Sequence, residues 1–205
     1  MSPTLAATLL LAACISTVKP DDKPKYKCGN PIISPLLRDA EDEEAPSLRI
    51  VMGTNARRGS WPWQALLRFR LSLDPTRPVL TSSVALCGGT LVNKDWIVTA
   101  AHCFDDLPGV DINFRDERRW YVQLGKYNKN MQESTEQTFQ VQKLLVYPKY
   151  NRTVRYDADI ALLKLNESAD MTDFVQPICL GKLPPGRRGR ELCYITGWGD
   201  TENGK

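Results

Sequence analysis

The amino-acid chain has 205 residues and an ordinary globular composition, with 42% hydrophobic and 25% charged residues. This composition excludes intrinsically disordered and collagen-like proteins. The 27 basic and 24 acidic residues give a net charge of +3, and the basic clusters are separated by acidic or neutral stretches. Such a pattern is typical of solvated loops rather than of a nucleic-acid-binding face, so we expect no nucleic-acid partner.

The N-terminus carries a short apolar segment at residues 5–15, followed by polar residues. Because this segment is too short to span a bilayer, we interpret residues 1–16 as a signal peptide with an approximate end. We therefore predict a secreted, extracellular protein without a membrane span. The stretch Leu-Ala-Ala-Cys at 11–14 leaves a bacterial lipoprotein as the alternative. Residues 17–49, rich in Pro, Lys and Asp, are predicted to form an exposed and largely irregular pro-segment.

From residue 50 onward, short strand-like segments recur between turn signals. The predicted strands are residues 64–69, 89–92, 96–99, 120–124, 138–146 and 160–165. Trp120, Val122 and Leu124 alternate with polar neighbours, which is the period of a half-buried strand. No long helix is apparent. Many short strands joined by Gly, Pro and Asn turns indicate an all-β barrel or sandwich.

A histidine and an aspartate stand out as candidates for proton transfer. His102 lies in Thr-Ala-Ala-His-Cys, and Asp159 comes directly before the nearly continuous apolar run at 160–165. An aspartate at the mouth of a buried strand loses solvent and needs a donor partner. An imidazole N–H is such a donor, and the carboxylate then holds the tautomer whose other nitrogen accepts a proton. Asp157 is the near competitor of Asp159 for this role.

The cysteines bear on both compartment and metal binding. They stand at positions 14, 28, 87, 103, 179 and 193. Removal of the signal peptide leaves five, and an odd number in a secreted protein indicates either a bridge to another chain or missing sequence. His102 is the only histidine and no CxxC pair occurs, so too few ligands exist for a structural zinc site. We expect no metal and no cofactor.

An ordered set of motifs from residue 49 onward resembles the chymotrypsin and trypsin family of serine proteases. They are Arg-Ile-Val-Met-Gly at 49–53, Trp-Pro-Trp-Gln at 61–64, Cys-Gly-Gly at 87–89, Thr-Ala-Ala-His-Cys at 99–103, Asp-Ile-Ala-Leu at 159–162, Gln-Pro-Ile-Cys at 176–179 and Gly-Trp-Gly at 197–199. One short motif arises by chance, but the ordered set does not. The resemblance implies an all-β, chymotrypsin-like double β-barrel. Residues 50–175 would form the first barrel and its connector, and 176–205 only the start of the second.

The resemblance also implies roles for individual residues. His102 would be the general base and Asp159 would orient it, while cleavage between Arg49 and Ile50 by an enzyme that cuts after arginine would activate the zymogen. The Gly-Asp-Ser-Gly-Gly stretch that carries the family's nucleophile does not occur in these residues. We therefore expect a C-terminally incomplete serine endopeptidase zymogen that is inactive alone. Its expected partners are protein or peptide substrates, the activating protease and protease inhibitors. The alternative is a truncated or non-catalytic protease homologue that acts as a binding or decoy protein.

The family also implies a disulfide pattern. Cys87 would pair with Cys103, and the pro-segment Cys28 would pair with Cys179, as in members whose pro-segment stays tethered after activation. A Cys87–Cys103 bridge would contribute about 3 kcal/mol in the loop-entropy description. Cys193 would be unpaired within these residues and would bond to a cysteine further along the chain.

Residues 126–136 resemble the calcium loop of the family, with Glu133 and Glu136 matching carboxylate ligands. Lys126, however, stands where a first glutamate is expected. Because an ammonium there repels Ca²⁺ and can itself pair with the acids, we predict that the loop binds no calcium.

Two Asn-X-Ser/Thr sequons occur in the chain, Asn-Arg-Thr at 151–153 and Asn-Glu-Ser at 166–168. In a secreted protein both are acceptors for N-linked glycans, so we predict glycosylation of Asn151 and Asn166.

Overall fold

The computed structural model describes residues 26–36, 54–74, 76, 78, 82–181 and 193–199. The predicted signal peptide, most of the predicted pro-segment and the predicted activation site at Arg49 and Ile50 lie outside the described residues. The strands are β1 (Gln64–Arg70), β2 (Ser83–Asn93), β3 (Trp96–Thr99), β4 (Trp120–Leu124), β5 (Gln137–Val146) and β6 (Ala161–Leu165). Two short 3₁₀ helices are also described, Ala101–Phe104 and Glu117–Arg119.

The six strands close into one antiparallel barrel in the order β1-β2-β3-β6-β5-β4. Two three-stranded meanders, β1 to β3 and β4 to β6, build it. They join where β3 pairs with β6, with Val98 opposite Leu162, and where β1 pairs with β4, with Leu67 opposite Val122. Closure leaves no free sheet edge. The barrel confirms the all-β prediction.

Five of the six predicted strands agree with the structure to within one residue at each end, but the predicted start of β2 is wrong. The strand begins at Ser83 rather than at residue 89. Two consecutive glycines, at positions 88 and 89, are typical of a turn. In the structure, however, Gly89 lies within β2 and pairs with Ala65 of β1. A Cβ at Gly89 would lie 2.7 Å from Ile97 Cγ2, so the lack of a side chain at Gly89 allows β3 to pack closely against β2.

The barrel core holds an aromatic cluster that anchors the histidine-bearing segment. The rings of Phe69 and Phe104 lie 5.1 and 4.8 Å from that of Trp120, in edge-on contact. The Trp120 indole donates to the Phe114 carbonyl over 2.7 Å, which satisfies its only polar atom. Phe104 is fully buried and stands two residues after His102. The core therefore fixes the end of the 3₁₀ helix that carries the histidine.

The apolar run at 160–165 is not buried throughout, contrary to its sequence pattern. Ala161, Leu163 and Leu165 face the core, whereas Ile160 is 44% and Leu162 37% exposed. The strand thus has one buried and one open face, as expected for an antiparallel barrel strand.

Among the residues that the structure describes, no helix is long and apolar enough to cross a bilayer.

Candidate active site

His102 lies in a short 3₁₀ helix that is constrained by several neighbouring groups. The 3₁₀ helix Ala101–Phe104 directly follows β3, and its Cys103 is disulfide-bonded to Cys87 on β2. At the C-terminal end, the Asp105 N–H donates to the His102 carbonyl. The disulfide, the buried Phe104 ring and β3 leave the helix little freedom. The His102 side chain itself is 49% exposed, so one face of its ring is open to solvent.

Asp159 reaches His102 because of the sheet register. Thr99, at the end of β3, pairs with Ala161, at the start of β6. The residues that directly follow β3 and directly precede β6 therefore meet at the same end of the barrel. Ala158 takes a left-handed backbone conformation (φ 52°), which turns the chain just before the aspartate.

The two side chains form a close, doubly bonded pair. Asp159 Oδ2 lies 2.7 Å from the His102 ring nitrogen Nδ1, and Asp159 Oδ1 accepts from the His102 backbone N–H over 2.8 Å. Each carboxylate oxygen thus has its own donor on the same residue. The arrangement fixes the rotation of the ring as well as its distance from the aspartate.

The electrostatics of the pair decide the histidine tautomer. Burial alone would raise the pKa of the Asp159 carboxyl, but hydrogen bonds from the His102 ring and from the backbone of His102 and Ala101 outweigh it, so the pKa lies below its usual value. The carboxylate is therefore an acceptor at neutral pH, and Nδ1 must carry a proton. In the neutral ring, Nε2 is then the unprotonated nitrogen, which can accept a proton.

The competing aspartate does not join this pair. Asp157 contributes only backbone bonds: its N–H donates to Val154 and its carbonyl accepts from Asn151. Within the described part of the chain, its carboxylate makes no hydrogen bond and no ion pair. The structure thus brings Asp159 to His102 and leaves Asp157 in the loop.

A second bridge between the two segments has no local signal in the amino-acid sequence. The half-buried Tyr150, in the loop before Asp159, donates to Asp105 Oδ2 over 2.5 Å, just after the histidine helix. Burial first, and then this hydrogen bond, raise the pKa of the Tyr150 hydroxyl, so it remains a donor. The ring of Tyr156 also lies edge-on to the His102 ring, with centroids 5.8 Å apart. Contacts between residues 45 or more positions apart leave no local pattern.

Residues 193–199 lie against the barrel beside this site. The Thr196 hydroxyl donates to Gln64 on β1, and the Trp198 indole donates to the Tyr127 carbonyl. An open groove of about 530 Å³ runs between this segment and the barrel, and Asp159 and Ile195 are among its lining residues. The Ile195 side chain is 75% exposed, so its apolar surface is not covered within the described residues.

The disulfides join the pairs that the family resemblance implies. Cys28 is bonded to Cys179, and Cys87 to Cys103, while Cys193 is an exposed free thiol. One cluster of metal-ligand types occurs in the described ranges, Cys87, His102 and Cys103. Its two sulfurs are oxidised to the disulfide and so cannot act as thiolate ligands.

Lys126 lies at the centre of the loop that resembles a calcium site. Its side chain is fully buried, and its ammonium bonds to the Glu136 carboxylate and to the Met131 carbonyl. Glu133 turns its carboxylate to two backbone N–H groups and to Arg58. The ammonium therefore occupies the position in which a cation would meet these oxygens.

Comparison with known proteins agrees with the barrel and the motifs. The family model described as Trypsin matches residues 50–205. The human protein chymotrypsin-like elastase family member 1 is 37% identical over 168 residues, which are 79% of this chain and 56% of that relative. The chain thus spans about half the length of this curated relative. A family match over well over half of the chain, on a closed six-stranded barrel, shows that the chain belongs to the chymotrypsin/trypsin-like family of serine proteases.

Proposed function

We propose that His102 and Asp159 are the general base and the orienting aspartate of a secreted serine endopeptidase, made as a zymogen. The observation that carries the proposal is the doubly bonded pair, in which Asp159 accepts from both Nδ1 and the backbone N–H of His102. An ion pair that served only stability would not need to leave the other ring nitrogen on an exposed face.

The chemistry requires a serine from outside these 205 residues, since none here lies in the family's nucleophile motif. As the serine oxygen attacks the substrate carbonyl carbon, Nε2 of His102 takes the hydroxyl proton. The same nitrogen later gives that proton to the leaving amine. Asp159 stays ionised throughout and stabilises the imidazolium that forms between the two steps. Peptide bonds of proteins or peptides are the substrates.

The zymogen part of the proposal rests on Arg49 and Ile50 and on the tethered pro-segment. Cleavage after Arg49 by another protease would free the Ile50 ammonium, while the Cys28–Cys179 bridge would keep the cut segment attached. We include in the proposal secretion after removal of residues 1–16 and control by protease inhibitors. N-linked glycans on Asn151 and Asn166 complete it, because both side chains are exposed.

The test uses the full-length parent protein, activated and purified. His102→Ala and Asp159→Asn should each lower kcat by a factor on the order of 10⁴, because both act on proton transfer. Asp157→Asn is the matched control and should retain normal turnover, since that carboxylate makes no bond in the described part of the chain. Each variant should still unfold in one cooperative transition on heating, which shows that the loss of turnover is not a loss of folding.

Normal peptide hydrolysis by His102→Ala or Asp159→Asn would remove these residues from the catalytic role. Absence of hydrolysis in the unmodified protein, after complete cleavage at Arg49, would favour a non-catalytic homologue that binds proteins without cutting them.

A further inference from the structure

The loop between β5 and β6 folds back on itself and carries a sequon at its turn. Asn151 pairs with Asp157 across the loop, its N–H donating to the Asp157 carbonyl over 2.9 Å. At the base of the loop, the Tyr147 N–H donates to the Ile160 carbonyl. Asn151 itself takes a left-handed conformation with φ 58°, which asparagine tolerates better than most residues. The loop is therefore a defined structure that presents Asn151 at a fixed place.

The sequon is open to solvent on the side that a glycan needs. Asn151, Arg152 and Thr153 are all exposed. The Asn151 side chain uses its oxygen to accept from the Tyr156 N–H over 3.2 Å, and its amide nitrogen Nδ2 makes no hydrogen bond within the described residues. A substituent on Nδ2 would thus project from the loop without breaking a contact there.

This position is close to the catalytic pair. Asn151 bonds to the backbone of Asp157, two residues before Asp159, and to the backbone of Tyr156. The Tyr156 ring lies 5.8 Å from the His102 ring, with the Arg155 guanidinium 5.0 Å from the centre of the tyrosine. Tyr156 therefore links Asn151 to His102, and a group attached to Asn151 would lie near the open face of the histidine.

We propose that an N-linked glycan on Asn151 covers this side of the active site and restricts access of folded protein substrates, while short or flexible peptides still enter. The inference rests on the proposed protease function. In the modification, Nδ2 displaces the lipid diphosphate from C1 of a lipid-linked oligosaccharide: the N–C bond forms, the C–O bond breaks with its electron pair leaving on the lipid diphosphate, and Nδ2 gives one proton to a base of the modifying enzyme. The bulk of the attached sugar, rather than any new contact, produces the selectivity.

The second sequon supplies an internal control. Asn166 follows β6 at its far end, seven residues after Asp159, and at about 3.3 Å per residue this places it roughly 20 Å from that aspartate. Its side-chain oxygen accepts from the Gln140 N–H. A glycan on Asn166 would therefore add similar bulk to the protein but stand away from His102.

The test compares glycoforms of the full-length protein, secreted from animal cells and activated. Thr153→Ala removes the first sequon without changing Asn151, and Asn166→Asp removes the second while keeping the oxygen that bonds to Gln140. Each variant should lose the mass of one glycan. For Thr153→Ala, kcat/KM on a short peptide anilide should stay within about twofold, whereas kcat/KM on a folded protein substrate should rise at least about threefold. Enzymatic removal of glycans from the unmodified protein should give the same rise.

Asn166→Asp should change neither rate. An unchanged mass in Thr153→Ala, or equal hydrolysis of the folded substrate with and without the Asn151 glycan, would overturn the inference.

Cleavage after the exposed Arg155 by an added arginine-specific protease gives a readout that needs no activity of this protein. If the parent hydrolyses nothing, the protease function fails, but slower cleavage at Arg155 in the glycosylated form would still support shielding. Equal cleavage would contradict it.

Discussion

At the scale of single residues, the site depends on how Asp159 divides its two oxygens. One accepts from the His102 ring and the other from the His102 backbone, so the aspartate fixes a tautomer and an orientation at once. With a single bond, the ring could still rotate about the Nδ1···Oδ2 axis. The second bond removes that freedom, and an enzyme gains from such preorganisation because no reorientation is needed during the reaction.

The lowered pKa of Asp159 predicts a pH dependence of stability. Because the folded-state pKa lies below the ordinary value of 3.8, the carboxylate stabilises the folded state fully above that value. This contribution is lost as the pH falls through the folded-state pKa. The difference in unfolding free energy between the unmodified protein and Asp159→Asn should thus persist from neutral pH to about pH 4 and shrink below it.

Denaturant titrations at a series of pH values would measure this difference, with Asp157→Asn as the control that should show none. A difference that already decays between about pH 7 and pH 5 would mean that the folded-state pKa of Asp159 is raised instead.

The pairing of His102 with Asp159 could be predicted from the sequence, but the residues around the pair could not. His102 and Asp159 could be predicted because each lies in a short motif with its own local pattern. Tyr150 and Asp105 could not, since their hydrogen bond depends on how two distant loops meet at one end of the barrel. A tyrosine in a polar loop looks the same in sequence whether it is solvated or bonded.

At the scale of elements, the loop at 126–136 is organised around the buried Lys126 ammonium. Lys126 bonds to Glu136 and Met131, and the Glu136 carboxylate also accepts from the Glu133 backbone. The loop in turn supplies the Tyr127 carbonyl that accepts from the Trp198 indole. Lys126 thus supports the loop and, through the loop, the segment at 193–199 that lies along the groove.

Replacing Lys126 by alanine should lower the free energy of unfolding by about 3–5 kcal/mol, because it removes the ammonium that pairs with the half-buried Glu136 carboxylate. Lys143→Ala is the matched control: that lysine is exposed on β5, and its loss should change stability by less than about 0.5 kcal/mol. Thermal or denaturant unfolding measures both.

The same experiment tests the prediction that the loop binds no calcium. Addition of calcium or of a chelator should leave the unfolding temperature of the unmodified protein unchanged. A calcium-dependent rise in that temperature would show that the ion competes successfully with the Lys126 ammonium.

The strands were predicted as far as their hydrophobic period allowed. Trp120, Val122 and Leu124 alternate in sequence and all face the core, so β4 was predicted with the correct bounds. The first half of β2 lacked such a period, since Val84 and Leu86 both project to the exposed side and a pair of glycines follows them. Pairing with β1 across the barrel, rather than local propensity, makes that segment a strand.

At the scale of the whole molecule, residues 26–29 of the proposed pro-segment are held to the body of the protein by more than their covalent continuity. Cys28 is bonded to Cys179 across a separation of 151 residues, and the Gly29 N–H donates to the Pro177 carbonyl. Tyr26 adds a hydrogen bond to Asp173. Their partners lie at 173–179, in the segment that follows β6, and are distant in sequence from the helix that carries His102.

This attachment predicts what activation leaves behind. After cleavage at Arg49, the pro-segment peptide should migrate with the rest of the protein on a non-reducing gel and separate from it on reduction. Cys28→Ser should release the peptide without reduction. Release from the unmodified protein under non-reducing conditions would show that Cys28 is not bonded to Cys179 in the secreted protein.

Labelling with a fluorophosphonate probe tests the central claim most directly, because the probe reacts with a serine only when a base activates it. The activated full-length protein should bind one equivalent, and His102→Ala should react slower by a factor on the order of 10³ or more. The 205-residue chain, cleaved at Arg49, should not react, since the nucleophile motif of the family does not occur in it and the proposed base then has no serine to activate. Stoichiometric labelling of that chain, or an unchanged rate in His102→Ala, would contradict the account.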